Sequence, residues 1–272
     1  MEVRAKKALG QHFLTDQSIA KAIVAALQLH TEDAVGCMAV LEIGPGMGVL
    51  SQYLLERQDV NLKMIEIDTE SVEYLEKHFD KARGRVIYGD FLKLDIDHLF
   101  AGEFNVIGNF PYNISSQIFF RILDYRNRIL QTVCMIQKEV AERIAEKPGS
   151  KTYGILSVLL QAWYDIEYLF TVGSGAFAPP PKVQSAVIRL VRNSRTSLGC
   201  DEDAFKNIVK TSFGQRRKTL RNSLKPLIAA KASREGWDAE ALSSFTAQPV
   251  FELRPERLSV EDFIALTNLL TR

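Results

Sequence analysis

The chain has 272 residues, of which 46% are hydrophobic and 25% are charged, and its formal net charge is +1. These proportions are typical of a soluble globular protein and exclude a chain of biased composition. No apolar run approaches the roughly 18 residues of a membrane-spanning helix, and no apolar signal-peptide core follows the basic N-terminus.

Short apolar runs alternate with segments of helical periodicity between residues 38 and 192. The predicted strands are Met38–Ile43, Lys63–Ile67, Val86–Tyr88, Phe104–Ile107 and Thr132–Ile136. The predicted helices are Val49–Glu56, Ser71–Phe79, Ser115–Leu123 and Glu139–Ala145. This alternation indicates an α/β fold, with a parallel sheet that carries helices on both faces.

Two further strands are predicted at Ile166–Val172 and Ala186–Val191. No long helix fits between them, so we expect them to pair antiparallel at one edge of the sheet. From about residue 194 the spacing becomes helical, and proline breaks separate the segments. The predicted helices there are Asp203–Phe213, Gln215–Leu224, Ala239–Ser244 and Val260–Leu270. We therefore expect an α/β domain at residues 1–193 and a small all-α domain at residues 194–272.

The cysteines and histidines indicate neither disulfides nor a metal. Cys37, Cys134 and Cys200 are far apart, which excludes a disulfide framework and a zinc-finger site. This usage fits a reducing cytoplasm, where we expect the protein to reside. The four histidines have no ligand spacing, so no metal site is predicted.

Basic residues are concentrated in the last third of the chain. Residues 171–234 hold thirteen basic and three acidic residues, a net charge of +10 that the rest of the chain offsets. Residues 204–234 contain nine basic residues and no acidic one. Such segregation is typical of a protein that binds a polyanion.

The predicted helix Gln215–Leu224 carries the densest part of this charge. Arg217 and Arg221 are four residues apart, so on a helix they share one face. We predict a surface that binds nucleic-acid phosphates, formed by Arg216, Arg217, Lys218 and Arg221.

A glycine-rich loop follows the first predicted strand and precedes a helix. Gly44, Gly46 and Gly48 have the spacing G-x-G-x-G, and Val49 stands where the dinucleotide pattern has its third glycine. Glycines let the backbone turn tightly and approach a ligand closely. Because the loop also lacks a Walker lysine, it fits a ligand whose centre carries no phosphate, such as S-adenosylmethionine.

Acidic residues lie at the end of the second predicted strand and after the third. Glu66 comes 22 residues after Gly44, close to the roughly 20 residues expected for an acid that binds a ribose. Asp90 follows the third strand and can accept a hydrogen bond from an adenine amine. We therefore predict that Gly44, Glu66 and Asp90 form a cofactor site.

The tetrapeptide Asn109-Phe110-Pro111-Tyr112 follows the fourth predicted strand, with Gly108 as the break. The Asn109 side-chain oxygen and the carbonyl before or at Pro111 can accept hydrogen bonds from the two N–H groups of an exocyclic amine. Tyr112 can stack on the ring that carries this amine. The alternative interpretation is an Asn-x-Pro turn with a tyrosine that covers the core. The adjacent cofactor pattern favours the first interpretation.

Together these motifs resemble the ribosomal-RNA adenine dimethyltransferases, most closely the small-subunit (16S) group whose loss gives kasugamycin resistance. The resemblance covers nearly the whole chain through five motifs in order, at Lys7–Leu14, Glu42–Gly48, Asn109–Tyr112, Phe177–Val183 and Phe213–Leu220. It implies a class I (Rossmann-like) methyltransferase fold with a seven-stranded sheet. It also implies methyl transfer from S-adenosylmethionine to the exocyclic amines of two adjacent adenines in the 3′-terminal hairpin of small-subunit rRNA.

The resemblance further implies that His12 and Leu14 cover the cofactor and touch it. In this family the residues that complete the cofactor site match Gly44, Glu66, Asp90 and Asn109. The chain departs from the family by having His12 in place of the usual asparagine and Phe110 where leucine is common. A neutral imidazole can replace one amide hydrogen bond, so His12 is retained as a contact. Phe110 is expected to pack into the core.

An adenine inside a helix cannot reach such a pocket, so the target must lie in a loop or be flipped out and stacked on aromatic faces. Tyr112 is one candidate face, and Phe177, beside three consecutive prolines, is the other. The alternative for Phe177 is an ordinary core side chain. The predicted catalytic residues are thus Asn109, Pro111, Tyr112 and Phe177, and no general base is required.

Three functions are compatible with these features. The first is the small-subunit enzyme, which the Gln215–Leu220 motif favours. The second is a resistance-type methyltransferase of large-subunit rRNA, and the third is a ribosome-assembly or transcription factor without activity. Glu66, Asp90 and the Asn-x-Pro-Tyr motif argue against the third. We expect a monomer that acts on rRNA in a partly assembled ribosomal subunit, without a membrane or a metal.

Overall fold

The structure is a computed structural model that describes residues 6, 10–28 and 37–272. Its strands are Phe13–Leu14 (β1), Met38–Ile43 (β2), Val60–Glu66 (β3), Val86–Tyr88 (β4), Phe104–Asn109 (β5), Ile129–Gln137 (β6), Tyr164–Val172 (β7), Phe177–Ala178 (β8) and Ser185–Arg192 (β9).

The α-helices are Gln17–Ala25 (α1), Ser51–Glu56 (α2), Thr69–His78 (α3), Ser115–Asp124 (α4), Lys138–Ala145 (α5), Ile155–Gln161 (α6), Glu202–Gly214 (α7), Leu220–Ser223 (α8), Lys225–Glu235 (α9), Ala239–Thr246 (α10) and Val260–Thr271 (α11). Within the described ranges, none of these helices is long and apolar enough to cross a membrane.

Seven of these strands form one sheet in the order β4-β3-β2-β5-β6-β9-β7. Strands β4, β3, β2, β5 and β6 pair parallel, whereas β9 pairs antiparallel with both β6 and β7. The predicted seven-stranded α/β sheet and its antiparallel edge pair are thus confirmed. The two-residue strands β1 and β8 pair antiparallel outside this sheet.

The central strands are mostly apolar because both faces of the sheet are covered. In β2, five of six residues are buried, and in β5 the same is true. Side chains from α1 and α2 complete the core on one side, including Ile23 and Leu54, neither of which is exposed. This rigid sheet fixes the positions at which its strands end.

One predicted helix, Gln215–Leu224, is wrong in its first half. Helix α7 ends at Gly214, residues 215–219 form a turn, and α8 begins at Leu220. Glycine has low helix propensity, the Lys218 N–H donates to the Gln215 carbonyl at 2.8 Å, and the Leu220 N–H donates to the Leu253 carbonyl at 2.8 Å. Arg217 therefore does not share a helix face with Arg221.

The chain divides into two compact units. The first comprises Met1–Ala141 and Tyr164–Arg192, and the second comprises Glu142–Trp163 and Asn193–Arg272. The second unit is therefore discontinuous in sequence, since α6 belongs to it together with the C-terminal helices. The expected division into functional domains at residue 193 stays a prediction.

Gly108 allows β2 and β5 to approach closely beside the predicted site. Strand β5 runs through Gly108 to Asn109 rather than breaking there. A Cβ atom at Gly108 would lie 2.6 Å from the carbonyl oxygen of Ile43, the last residue of β2. That contact is with backbone inside a sheet, which cannot move aside without disturbing the pairing.

We predict that Gly108→Ala destabilises the protein by about 1–3 kcal/mol, because the added methyl forces β2 and β5 apart. The matched control is Gly102→Ala, since a Cβ there meets nothing within 4 Å. The measurement is the urea midpoint of each variant, followed by fluorescence. Equal midpoints for the two variants would contradict the close approach.

Candidate active site

A cavity of about 510 Å³ opens at the carboxyl ends of β2, β3 and β5. Its volume is in the range of small-molecule sites. The residues that line it include Gly10–Thr15, Gly44–Met47, Glu66, Asp90 and Asn109–Ile114. The structure thus brings together the predicted positions His12, Leu14, Gly44, Glu66, Asp90, Asn109, Pro111 and Tyr112.

The glycine loop turns directly after β2. Gly44, Gly46 and Gly48 all have positive φ angles, of 65°, 54° and 79°, which side chains rarely adopt. The Gly44 N–H donates to the Ile65 carbonyl at 2.9 Å, and the Gly48 N–H donates to the Pro45 carbonyl at 2.8 Å. A Cβ at Gly44 would meet nothing within 4 Å, so the backbone there faces open space.

The carboxylate of Glu66 binds the glycine loop from the end of β3. Its Oε2 accepts the Gly46 N–H at 3.0 Å, and its Oε1 accepts the Asp68 N–H at 2.9 Å. Burial raises the pKa of Glu66, and these N–H donors oppose the rise. A carboxylate has about four acceptor positions, so Glu66 can still accept from a hydroxyl group in the cavity.

Glu42 is a second buried acid in the cavity wall that sequence reasoning assigned to no role. It is 1% exposed, and its Oε2 accepts a hydrogen bond from Ser51 Oγ at 2.7 Å. Burial, followed by repulsion from Glu66, raises the pKa of Glu42 to about 8, while the Ser51 bond lowers it. The sequence feature that could have indicated a role for Glu42 is an acidic residue within an otherwise apolar predicted strand.

Asp90 follows β4 and lines the cavity. Its Oδ1 accepts the Leu92 N–H at 3.0 Å, and its Oδ2 lies 3.7 Å from Lys93 Nζ. The carboxylate is partly exposed, so it retains acceptor capacity toward the cavity.

Asn109 is the last residue of β5, and the nitrogen of its side-chain amide already forms a hydrogen bond. Its Nδ2 donates to the carbonyl oxygen of His12 at 3.0 Å. The next residue, Phe110, donates its N–H to the Met135 carbonyl at 3.0 Å and is buried, as expected, with its ring 5.9 Å from that of Phe119. The Pro111 carbonyl accepts the Ile114 N–H at 3.2 Å.

Tyr112 is half-buried and held at both ends. Its hydroxyl lies 2.5 Å from Ser185 Oγ in β9, and its ring stacks on that of His12 with centroids 5.4 Å apart. Burial raises the pKa of Tyr112, and the Ser185 bond lowers it. The phenol is therefore neutral at physiological pH.

We call residues 10–15 the cover segment, and all six of them line the cavity. Phe13 and Leu14 pair with Ala178 and Phe177, and the Thr15 N–H donates to the Ala176 carbonyl at 2.8 Å. Sequence reasoning did not predict this pairing. Residues 7–9 of the predicted Lys7–Leu14 motif lie outside the described residues.

Phe177 lies in β8 and does not line the cavity in this structure. It is 4% exposed and belongs to the same buried cluster as Leu14 and Val172. Its predicted stacking role therefore stays a prediction, and it requires the ring to leave the core.

The predicted phosphate-binding residues differ in their partners within the second unit. Arg216 donates to the Ser150 carbonyl at 3.2 Å and lies 3.8 Å from Glu256, and Arg221 pairs with Glu252. Arg217 and Lys218 are exposed in the turn after α7, and neither side chain forms an ion pair with a described residue. Acids that are distant in sequence thus neutralise part of the basic segment.

A metal site is absent from the part of the chain that the structure describes. In those residues, no group of three or more His, Cys, Asp or Glu side chains could hold an ion. The cavity instead offers backbone N–H groups, carboxylates and side-chain amides, which suit an uncharged sugar and a heterocycle.

Comparisons with known proteins agree with this arrangement. A family model described as "Ribosomal RNA adenine dimethylase" matches residues 2–238. "Ribosomal RNA small subunit methyltransferase A" of Parabacteroides distasonis is 58% identical over 265 residues, which cover 97% of this chain and 93% of that protein. The protein of the same name from Porphyromonas gingivalis is 56% identical over 272 residues, with 99% of each chain covered.

Solved structures show the same fold. A dimethyladenosine transferase from Plasmodium falciparum superposes with a TM-score of 0.75 at 25% identity, covering 94% of this chain and 96% of that one. The 23S rRNA methyltransferase ErmE gives a TM-score of 0.64 at 22% identity, covering 94% and 99%. The confirmed fold is therefore that of class I methyltransferases, and by its matched family model and its relatives the chain belongs to the ribosomal RNA adenine dimethylase family.

Proposed function

We propose that this protein transfers methyl groups from S-adenosylmethionine to the exocyclic amines of two adjacent adenines in the 3′-terminal hairpin of small-subunit (16S) rRNA. Membership of the adenine dimethylase family supports the reaction, and relatives named small subunit methyltransferase support the substrate. We further propose that the protein works as a monomer in the cytoplasm, on rRNA within a partly assembled small subunit.

The observation that supports the proposal is that one cavity is lined by both predicted groups of residues, those for the cofactor and those for the target amine. Glu66, Asp90 and the glycine loop form one part of its wall, and Asn109–Tyr112 form the adjacent part. A protein that bound RNA without catalysis would not need a cofactor-sized cavity beside an amide and an aromatic ring.

The residues present fit S-adenosylmethionine. We propose that Glu66 accepts hydrogen bonds from ribose hydroxyls and Asp90 from the adenine amine. Both line the cavity, and the backbone of Gly44 leaves space for the ligand. His12 and Leu14 are proposed to cover it. When bound, this cofactor supplies a methyl group attached to a positively charged sulfur. The neutral thioether that remains after methyl transfer is a good leaving group.

The protein groups act on the nucleophile. The lone pair of an adenine amine is delocalised into the ring, so the amine is a poor nucleophile. Oxygens fixed in place to accept hydrogen bonds from its two N–H groups make the lone pair more available. We assign these oxygens to Asn109 Oδ1 and to the carbonyl of Phe110, since the Pro111 carbonyl already accepts the Ile114 N–H. With the cofactor bound, its methyl group would pass from sulfur to this nitrogen, and the extra proton of the nitrogen would leave to water. Positioning supplies the remaining acceleration.

Tyr112 is the aromatic face that we propose for the flipped adenine, because its ring lines the cavity and is fixed by Ser185. Phe177 is retained as a second face that becomes available when the ring turns out of the core. In the second unit, Arg217 and Lys218 are proposed as the main phosphate contacts, with Arg216 and Arg221 contributing less because acids already neutralise them.

Asn109→Ala is expected to lower methyl transfer about 100-fold or more, since it removes an acceptor that acts in the transition state. The assay measures transfer of tritiated methyl to purified small subunits and, separately, to large subunits. Asn61→Ala, an exposed asparagine in β3, is the matched control and should match wild type. Label on the large subunit would indicate the resistance-type activity, and label on neither would indicate a binding protein.

The double variant Arg217→Gln with Lys218→Gln is expected to weaken RNA binding and to reduce the slope of log K against log salt by about 1 per residue. The control variant Lys81→Gln with Arg83→Gln removes the same charge from exposed, ion-paired residues of the first unit. The measurement is a salt titration of binding to the isolated hairpin. A slope change of equal size in both variants would contradict the assignment.

A further inference from the structure

The side-chain amide of Asn109 has two ends with different chemistry. Its nitrogen donates to the backbone carbonyl of His12 at 3.0 Å. A carbonyl oxygen accepts and cannot donate, so this bond fixes which end of the amide is the nitrogen. The Asn109 oxygen is thereby turned away from His12 and left as an acceptor at the cavity.

The ring of His12 has its own two contacts. It stacks on Tyr112, with an angle of 29° between the ring planes. Its Nδ1 lies 2.9 Å from the carbonyl oxygen of Pro179, and because that oxygen only accepts, Nδ1 carries the proton. His12 thus touches the two residues proposed to hold the target adenine, Asn109 through its backbone and Tyr112 through its side chain.

The cover segment holds His12 in this place by contacts on both sides. Before it, Gly10 packs against the side chain of Asn113, so closely that a Cβ would lie 2.5 Å from Asn113 Oδ1. After it, Phe13 packs on Gly46, where a Cβ would lie 2.9 Å from the Phe13 ring. The segment therefore connects the glycine loop with the loop that follows β5.

We propose that His12 is a positioning residue for the target adenine. Its backbone carbonyl orients the amide of Asn109. Its ring stacks on Tyr112 and is held by the hydrogen bond to the Pro179 carbonyl. This rests on the proposed function, and it assigns His12 a role on the target side of the cavity in addition to the expected contact with the cofactor. An asparagine at this position can reproduce one hydrogen bond but offers no ring for Tyr112 to stack on.

The test compares wild type with His12→Ala and His12→Asn, using three measurements. The first is the affinity for S-adenosylhomocysteine, the unreactive product, by calorimetry. The second is the single-turnover rate of methyl transfer to small subunits. The third is the side-chain amide signal of Asn109 in protein labelled with ¹⁵N-asparagine, assigned by its loss in Asn109→Ala. His98→Ala is the matched control, since His98 is exposed and pairs only weakly with Asp95 at 3.8 Å.

His12→Ala keeps the backbone carbonyl of residue 12 but removes the ring contacts with Pro179 and Tyr112 that hold it in place. We therefore expect the Asn109 acceptor to be misplaced, the rate to fall about tenfold or more, and the Asn109 signal to shift. The affinity of this variant for S-adenosylhomocysteine should fall by a smaller factor than the rate, since the His12 side chain is lost while the cofactor contacts of Glu66 and the glycine loop are kept. His12→Asn should restore part of the Asn109 signal but not the full rate. His98→Ala should leave all three measurements unchanged.

Two results would overturn the proposal. An affinity loss as large as the rate loss would make His12 a cofactor contact only, and an unchanged rate with an unchanged amide signal would remove its positioning role. Failure of the proposed function is seen separately, as wild-type protein that methylates no ribosomal subunit. In that case the Asn109 signal and the affinity still report whether His12 orients the amide.

Discussion

The geometry of the cavity depends on the hydrogen bonds that the buried carboxylate of Glu66 accepts. One oxygen holds Gly46 of the loop after β2, and the other holds Asp68 at the start of α3. A single side chain thus fixes two loops at the ends of neighbouring strands. Each N–H donor offsets part of the cost of burying the carboxylate, so the same bonds that shape the cavity also keep an acceptor inside it.

The amide of Asn109 extends this arrangement to the opposite wall. An amide carries one donor group and one acceptor, whereas a carboxylate carries acceptors alone. At the end of β5 the donor is used on the His12 carbonyl, and the acceptor remains for a ligand. The position therefore requires a residue with both functions. Gly108, which lets β5 lie against the last residue of β2, brings this amide next to the glycine loop.

The sheet and most of the site could be predicted from the sequence, because both follow from local patterns. Apolar runs identified the strands. Glu66 and Asn109 end β3 and β5, Asp90 follows β4, and the ends of these strands meet at one edge. Leu14 pairing with Phe177 could not be predicted, since it joins two short segments that are distant in sequence and have no periodicity. Glu42 was missed because an acid inside a buried strand gives no periodic signal.

The basic segment shows why charge counted along a sequence overstates what a surface can bind. Lys231 is 6% exposed and pairs with Glu235, so it is not available to a phosphate. Arg221 is more exposed, and exposed pairs contribute only about 0–1 kcal/mol, so a phosphate can compete with Glu252 there but must first displace it. At Arg217 and Lys218 a phosphate has no ion-paired acid among the described residues to displace. The turn at residues 215–219, where a helix was predicted, therefore contains the two cations that are most available to a phosphate.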